Sequence, residues 1–406
     1  MTTNPATQPD LGWYMGAPST AVDPEALTAS RMRERFSAMR STSPTVQVWR
    51  GPGPASALPR ALRDDLDALS FTPLGASTPM RWDTSRLHNH TDGLVVLHRG
   101  AVVHEWFDGP LKTHGTHVCH SVTKSFVGTL AAAAVADGLI DPAAPVTQYV
   151  PELAGSAWGT ATVRQTMDMT TALHYDEDYS KPDAGVWTYL RAAGQLPGMP
   201  LTGPDAPLGI RAFLRTVQAS GEHGRGYIYK TVNTDVLGWI VCKVLGAPLQ
   251  QLVAERFWQP MGAAEDAYFV VDPTGWAGAG GALNASLHDL ARFGEMMRCD
   301  GFFNGRQIVP AAAVADIRGG ARQDDFAQAG YALLPGWSYR AMWWVTHNAH
   351  GAYMARGIHG QNIYIDPKAQ MVIARFASFP RSASAFSDPT TLPAYHAMAL
   401  RLMAEG

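Results

Sequence analysis

Strand-like segments cluster toward the two ends of this chain, and its long middle lacks them. Leu94 to Leu97 and Ala101 to Val103 are β-branched and apolar runs separated by His98-Arg99-Gly100, which reads as a strand–turn–strand hairpin. Tyr339 to Thr346 is strand-like. Asn362 to Ile365 and Met371 to Ala374, joined through Asp366-Pro367-Lys368-Ala369, form a second hairpin pattern. From Asp141 to about Pro260 the pattern is mostly helical with long loops; Thr231 to Leu245 is one such helix, and Thr391 to Ala404 reads as a terminal helix. A chain so arranged can bury its strands by folding both ends into one sheet, with the helical stretch inserted between them. The expected fold class is an α/β region, an antiparallel sheet flanked by helices, plus an inserted all-helical region. The expected segments are an N-terminal arm at 1–22, the sheet region at 23–140 and 265–406, and the helical insertion at 141–264. Asp23 to Ser41 looks helical, and Gly51 to Pro59 is a Pro/Gly linker.

Composition excludes several classes of function. The 406 residues are 46% hydrophobic with 12 Trp, enough for a substantial core. A net charge of −3 leaves no electrostatic footprint for nucleic acid or an anionic membrane. Cys119, Cys242 and Cys299 are odd in number and widely spaced, which fits reduced thiols rather than a disulfide framework. Met1 to Thr20 has neither a basic n-region nor an apolar h-region, and no apolar run approaches the ~20 residues of a membrane span. The expectation is a cytoplasmic protein with no nucleic-acid or membrane partner.

The chemistry begins at Ser121-Val122-Thr123-Lys124, which enters an alanine-rich segment running to Ala136 and stopping at Asp137-Gly138. Residues three apart share one helix face, so the hydroxyl can meet the amine as a nucleophile and its base. With 6 Lys and 20 Ser in the chain, such a pair arises by chance roughly 0.3 times, so it needs context. Lys124 can act as a base only if burial or a neighbouring cation brings its pKa toward neutrality. The free N–H groups of the helix N-terminus would favour negative charge near Ser121. The bland alternative is an N-terminal serine beside a solvated lysine.

Two further segments could complete a site. Gly226 to Asp235 carries Tyr227 and Tyr229 just before a helix, where a phenol can shuttle a proton; Tyr227 reads as core and Asn233 as the helix N-cap. Arg356-Gly357-Ile358-His359-Gly360 opens the late hairpin, and Gly357 lets a backbone N–H approach a substrate carbonyl, completing a two-donor oxyanion hole with the Ser121 N–H. His359 could orient a substrate or hydrogen-bond inside the fold. His114, His117, Cys119 and His120 have metal-like spacing but no complementary second pair, so packing is the preferred reading and no metal is assigned. Asp176, Glu177 and Asp178 read as a solvated loop rim. Trp187, Trp343 and Trp344 could line a pocket or the core.

These motifs, in order and spacing, resemble the serine hydrolases that include class C β-lactamases, DD-peptidases and family VIII carboxylesterases. Longer strings are similar to the 6-aminohexanoate-oligomer (nylon-oligomer) hydrolases within that family: His120 to Ser125, Val146 to Ser156, Asp176 to Tyr179, Asn233 to Leu237 and Gly357 to Asn362. The resemblance spans roughly residues 90 to 380. It implies a β-lactamase/DD-peptidase-like fold and hydrolysis of a small ester or linear amide through an acyl-enzyme, without a cofactor. It implies Ser121 as nucleophile, Lys124 as base, Tyr229 as proton relay, the Ser121 and Ile358 N–H groups as oxyanion hole, and Tyr179 as a substrate-closing tyrosine. A homodimer is left open.

The departures are specific. The Lys-Thr-Gly of class C β-lactamases falls at Ala355-Arg356-Gly357, so its lysine is missing, and Arg356 should face the other side of the strand. Thr231 stands where the tyrosine loop usually carries Asn. Leu190 and Ala279 occupy positions where efficient nylon-oligomer hydrolases place Asp and Asn, and Thr188-Tyr189-Leu190 suggests a more apolar pocket wall. The competing readings are a carboxylesterase, a β-lactam or D-amino-peptide hydrolase, and a catalytically silent binding protein.

Overall fold

The computed structural model describes residues 29–179, 181–196 and 198–404. The expected arm at 1–22 and the start of the first expected helix lie outside these residues. The strands of the two larger sheets are β1 (Thr45–Val48), β2 (Thr91–His98), β3 (Ala101–Phe107), β4 (Thr116–Val118), β5 (Ala267–Val270), β6 (Leu283–Ser286), β7 (Ser338–Arg340), β8 (Trp343–Val345), β9 (Tyr353–Gly357), β10 (Gln361–Asp366) and β11 (Met371–Ala377). The helices that matter to the site are α1 (Ala29–Phe36), α2 (Val122–Ala136), α3 (Gly185–Ala192), α4 (Val232–Leu245), α5 (Leu287–Arg298) and α6 (Asp388–Met403).

The seven-stranded sheet runs β7-β8-β9-β10-β11-β2-β3, antiparallel throughout. Both expected hairpins are present, and they dock on each other through β11 and β2, with Ile373 opposite Val96 and Ala374 opposite Val95. The two ends of the chain thus share one sheet. β10 and β11 are buried at every position, because helices cover both faces. Ile363 and Val372 meet α5, where a side chain on Gly294 would come within 2.6 Å of Val372. The alternate residues Asn362 and Tyr364 face α6 and contact Tyr395. The interval 141–264 contributes helices and loops and, among the described residues, no strand to either sheet.

Three local outcomes differ from expectation. Tyr339 to Thr346 is not one strand but two, β7 and β8, joined at Ala341 and Met342, both with positive φ (46° and 66°). The buried Asp168 carboxylate accepts from the Ala341 N–H and from Arg340, which holds a turn lacking the usual Gly or Asn. The expected helix from Asp23 to Ser41 resolves into α1 and a 3-10 turn at Met39–Ser41. A second, four-stranded sheet of order β1-β5-β6-β4 was not foreseen, because its strands are three or four residues long and scattered between 45 and 286. This small sheet fixes the site: the chain leaves β4 directly into Cys119-His120-Ser121 and enters β6 directly after Gly280-Gly281-Ala282. The Cys119 N–H donates to the Leu283 carbonyl at 2.8 Å and ties the two together.

Candidate active site

The turn between β4 and α2 passes through His120, whose φ of 44° swings the chain sharply so that Ser121 takes the N-cap position of α2. Lys124, one turn on, is 1% exposed. Its Nζ donates to Ser121 Oγ at 2.9 Å and to the Gly280 carbonyl. Burial pushes the Lys124 amine down to about 8, while the Glu177 and Asp235 carboxylates pull the other way. An amine near 8 is partly neutral at physiological pH, as a base for a serine hydroxyl must be.

Tyr229 completes the group. Its ring lies 5.1 Å from Lys124 Nζ, and its hydroxyl hydrogen-bonds with Ser121. Trp344 stacks behind it at 5.7 Å. Burial, with Tyr339 and Glu177 nearby, holds the phenol well above its ordinary range, so it carries its proton at neutral pH; the Ser121 hydrogen bond acts in the opposite direction.

β9 ends against this group. A Cβ on Gly357 would lie 2.9 Å from the Cys119 carbonyl oxygen and 3.1 Å from Ser121 N. No larger residue fits there without movement, and the approach sets Ile358, the next residue, beside the start of α2. Among the described residues no hydrogen bond takes up the N–H of Ser121 or of Ile358. His359, with φ 62°, donates from Nδ1 to the Phe379 carbonyl at 2.8 Å, and its ring packs with Phe36 and His120. That hydrogen bond lies inside the fold and fixes the orientation of the ring. Arg356 faces away as expected, donating from Nη2 to both oxygens of Asp388 on α6.

The remaining expected positions divide. Tyr179 is half-buried with its ring edge-on to Trp187 at 5.8 Å, and Leu190 is half-buried on α3. Ala279 does not line a cleft: it is fully buried, and a Cβ on Gly238 of α4 would come within 2.7 Å of its methyl. Its side chain is packed against α4, which corrects its assignment as a substrate contact. Asn233 is not the N-cap of α4. That place belongs to Thr231, while the side-chain Oδ1 of Asn233 accepts from Trp158 Nε1 and Thr171 Oγ1. Tyr227 is core, stacked on Phe326. Trp343 is core as well, donating to Thr129, whereas Trp344 backs the site. His117 bonds Val118 and Asp92, and among the described residues no three His, Cys, Asp or Glu converge as metal ligands.

Two carboxylates escaped the sequence reading. Glu177 is not on a solvated rim. It turns inward to accept from Thr231 and from Tyr175 at 3.3 Å, and its charge works to raise the proton affinity of Lys124. The signal was available: in extended chain Tyr175, Glu177 and Tyr179 share a face opposite Asp176 and Asp178. Asp235, in the first turn of α4, is fully buried and accepts from Tyr189 Oη at 2.8 Å and from the N–H groups of Ala279 and Gly280 at 2.9 and 3.2 Å. An acid in a first helical turn reads as an ordinary dipole partner, which hid it.

The family model described as Beta-lactamase matches residues 84–396. The chain belongs to the β-lactamase family. It is 36% identical over 292 residues to the 6-aminohexanoate-dimer hydrolase of Paenarthrobacter ureafaciens, covering 71% of this chain and 73% of that protein. A solved structure from Bacillus anthracis, assigned provisionally as a 6-aminohexanoate-dimer hydrolase, matches with TM-score 0.85 and 28% identity over 96% of this chain and 99% of that one. A family VIII carboxylesterase shares the fold alone, with TM-score 0.56 and 17% identity over 76% of this chain and 92% of that one. As a β-lactamase-family protein the chain is a serine hydrolase, and the acyl-enzyme route is general to the family.

Proposed function

We propose that this hydrolase cleaves small linear amides or esters, with 6-aminohexanoate oligomers the named candidate substrate. The observation that carries the reading is the buried Lys124 amine 2.9 Å from Ser121 Oγ. In acylation Ser121 Oγ attacks the substrate carbonyl carbon as its proton passes to neutral Lys124. The carbonyl oxygen becomes an oxyanion between the Ser121 and Ile358 N–H groups. The bond to the leaving group then breaks, and that group takes a proton relayed through Tyr229, leaving an ester on Ser121. Water attacks the ester, the same groups move its proton back to Ser121 Oγ, and the carboxylic acid departs. Each step balances without a cofactor. Tyr179 and Leu190 form the wall that selects the substrate.

The half-buried, apolar Leu190 favours a second reading, an esterase for uncharged substrates on the same machinery. A β-lactam preference is disfavoured, since Ala355 offers no cation and Arg356 is tied to Asp388. The test is intact-mass spectrometry of wild type and Ser121→Ala with a fluorophosphonate, followed by turnover of a short p-nitrophenyl ester and of the 6-aminohexanoate dimer. A Ser121-dependent adduct with dimer turnover supports the first reading, and an adduct with ester turnover alone supports the second. Full activity in Ser121→Ala defeats both.

A further inference from the structure

Lys124 must be held in one orientation, and its proton affinity must be set, by groups that are not themselves in the reaction. Its Nζ has two partners, Ser121 Oγ and the Gly280 carbonyl. If the amine's lone pair is to face the serine proton, an N–H must be occupied elsewhere, and Gly280 is the acceptor that does this. Gly280 is in turn fixed. Asp235 takes the N–H of Ala279 and of Gly280 on one carboxylate oxygen and the Tyr189 hydroxyl on the other. The fit admits no slack, since a Cβ on Gly280 would lie 2.2 Å from Thr231 Cγ2 and 3.3 Å from Asp235 Oδ2. Thr231 itself anchors the second carboxylate, Glu177, through both its hydroxyl and its N–H.

We infer that Asp235 and Glu177 are positioning residues for Lys124: Asp235, from α4, holds the Gly280 carbonyl that keeps the amine aimed at Ser121 Oγ, and Glu177, from the loop before α3, is the second carboxylate, anchored on Thr231 beside Gly280. The inference rests on the reading of Ser121 and Lys124 as nucleophile and base. Asp235 acts through the Gly280 backbone, and Glu177 acts through its field. Neither touches the reacting atoms.

Few other charges face the amine. Tyr229 is neutral, and burial keeps the adjacent His120 imidazole well below its usual range, hence neutral. Behind Glu177 stands Lys230, its amine brought down to about 8 by burial and donating to the Leu173 carbonyl at 2.6 Å. Behind Asp235 stands Tyr189, held neutral by burial. Burial pushes Asp235 up to about 6, so it is ionised where Lys124 titrates. Both carboxylates raise the Lys124 pKa against its burial. Removing either negative charge therefore lowers it further, and the basic form persists to lower pH.

The experiment compares kcat/KM against pH for wild type, Asp235→Asn, Asp235→Ala and Glu177→Gln on a p-nitrophenyl ester, with Ser121 labelling by the fluorophosphonate scored on each. Asp235→Asn and Glu177→Gln each move the acid limb down by about one unit, the scale of a neighbouring opposite charge. Asp235→Asn keeps its high-pH plateau within a few-fold, because an amide oxygen still accepts the two N–H groups. Asp235→Ala loses about tenfold or more on that plateau, as Gly280 is released. A merely structural role would lower the plateau without moving the limb. Limbs coincident with wild type in both charge-removing variants, with Ser121 still labelled, overturn this inference alone. Wild type that never labels at Ser121 overturns the underlying reading as well.

Discussion

Gly357→Ala isolates the contribution of the late strand to the oxyanion site. The backbone at Gly357 has φ −133° and ψ 154°, which alanine adopts without strain, so only the close approach demands glycine. The new methyl would lie 2.9 Å from the Cys119 oxygen and 3.1 Å from Ser121 N, whereas ordinary contact begins at 3.4 Å. The end of β9 must retreat by the difference between 3.4 and 2.9, about 0.5 Å, and neither neighbour is a flexible side-chain tip. A donor displaced by that amount from a site built for about 3 Å loses much of its worth, and losing one oxyanion donor costs about 10²–10³ in kcat, or about 2.7–4 kcal/mol. We expect kcat to fall about 10²-fold with KM changed less than about threefold, since the ground-state carbonyl uses the site less than the oxyanion does. Steady-state kinetics on the p-nitrophenyl ester, with near-UV circular dichroism confirming the fold, make the test. A variant within about threefold of wild-type kcat would refute the placement of the oxyanion beside Gly357.

Other outcomes follow from the same geometry. Wild-type kcat/KM should rise about tenfold per pH unit from the acid side and level off near 8, where Lys124 loses its proton; a limb below pH 6 in the rate profile would assign the base elsewhere. Gly128→Ala sets a methyl 2.0 Å from the Ala341 carbonyl and 2.6 Å from Met342 Cβ, so α2 must part from the β7–β8 turn. Its urea midpoint should drop by the equivalent of about 3 kcal/mol, the upper end for overpacking. Leu190→Asp places a carboxylate on the half-buried wall, and the ratio of 6-aminohexanoate-dimer turnover to neutral-ester turnover should rise up to about tenfold, worth about 1.4 kcal/mol. An unchanged ratio would remove Leu190 from the substrate wall.

The legible parts of this chain were those whose signal is local. The β2–β3 hairpin announces itself by apolar runs around Arg99-Gly100, α2 by its apolar run ending before Gly138, and the Ser121–Lys124 contact by helical spacing alone. The small sheet was illegible because three or four residues carry no periodicity, and its pairing of Thr45 with Val270 spans more than half the chain. Ala279 was misplaced because correspondence with relatives locates a residue along the chain but not the direction of its side chain, here set by Gly238 on a distant helix. Asp235 was hidden for a related reason. Its partners Tyr189, Ala279 and Gly280 lie on other elements, and a buried acid looks in sequence like an exposed one. Glu177 alone could have been found, by applying strand alternation to a segment read as a loop.

The hydrogen bond from Cys119 to Leu283 stitches together the segments that carry Ser121 and Gly280, while Tyr179 and Leu190 hang on the helical stretch outside that stitch. Mutational drift therefore meets two unequal territories. Around the stitch, a one-residue slip displaces the nucleophile and its base together, so a change there puts bond cleavage itself at risk. Tyr179 and Leu190 can change polarity without disturbing the stitched segments, provided their neighbours Glu177 and Tyr189, which bear on Lys124 and Asp235, stay in place, so new substrates can be sampled at those two positions at little risk to bond cleavage.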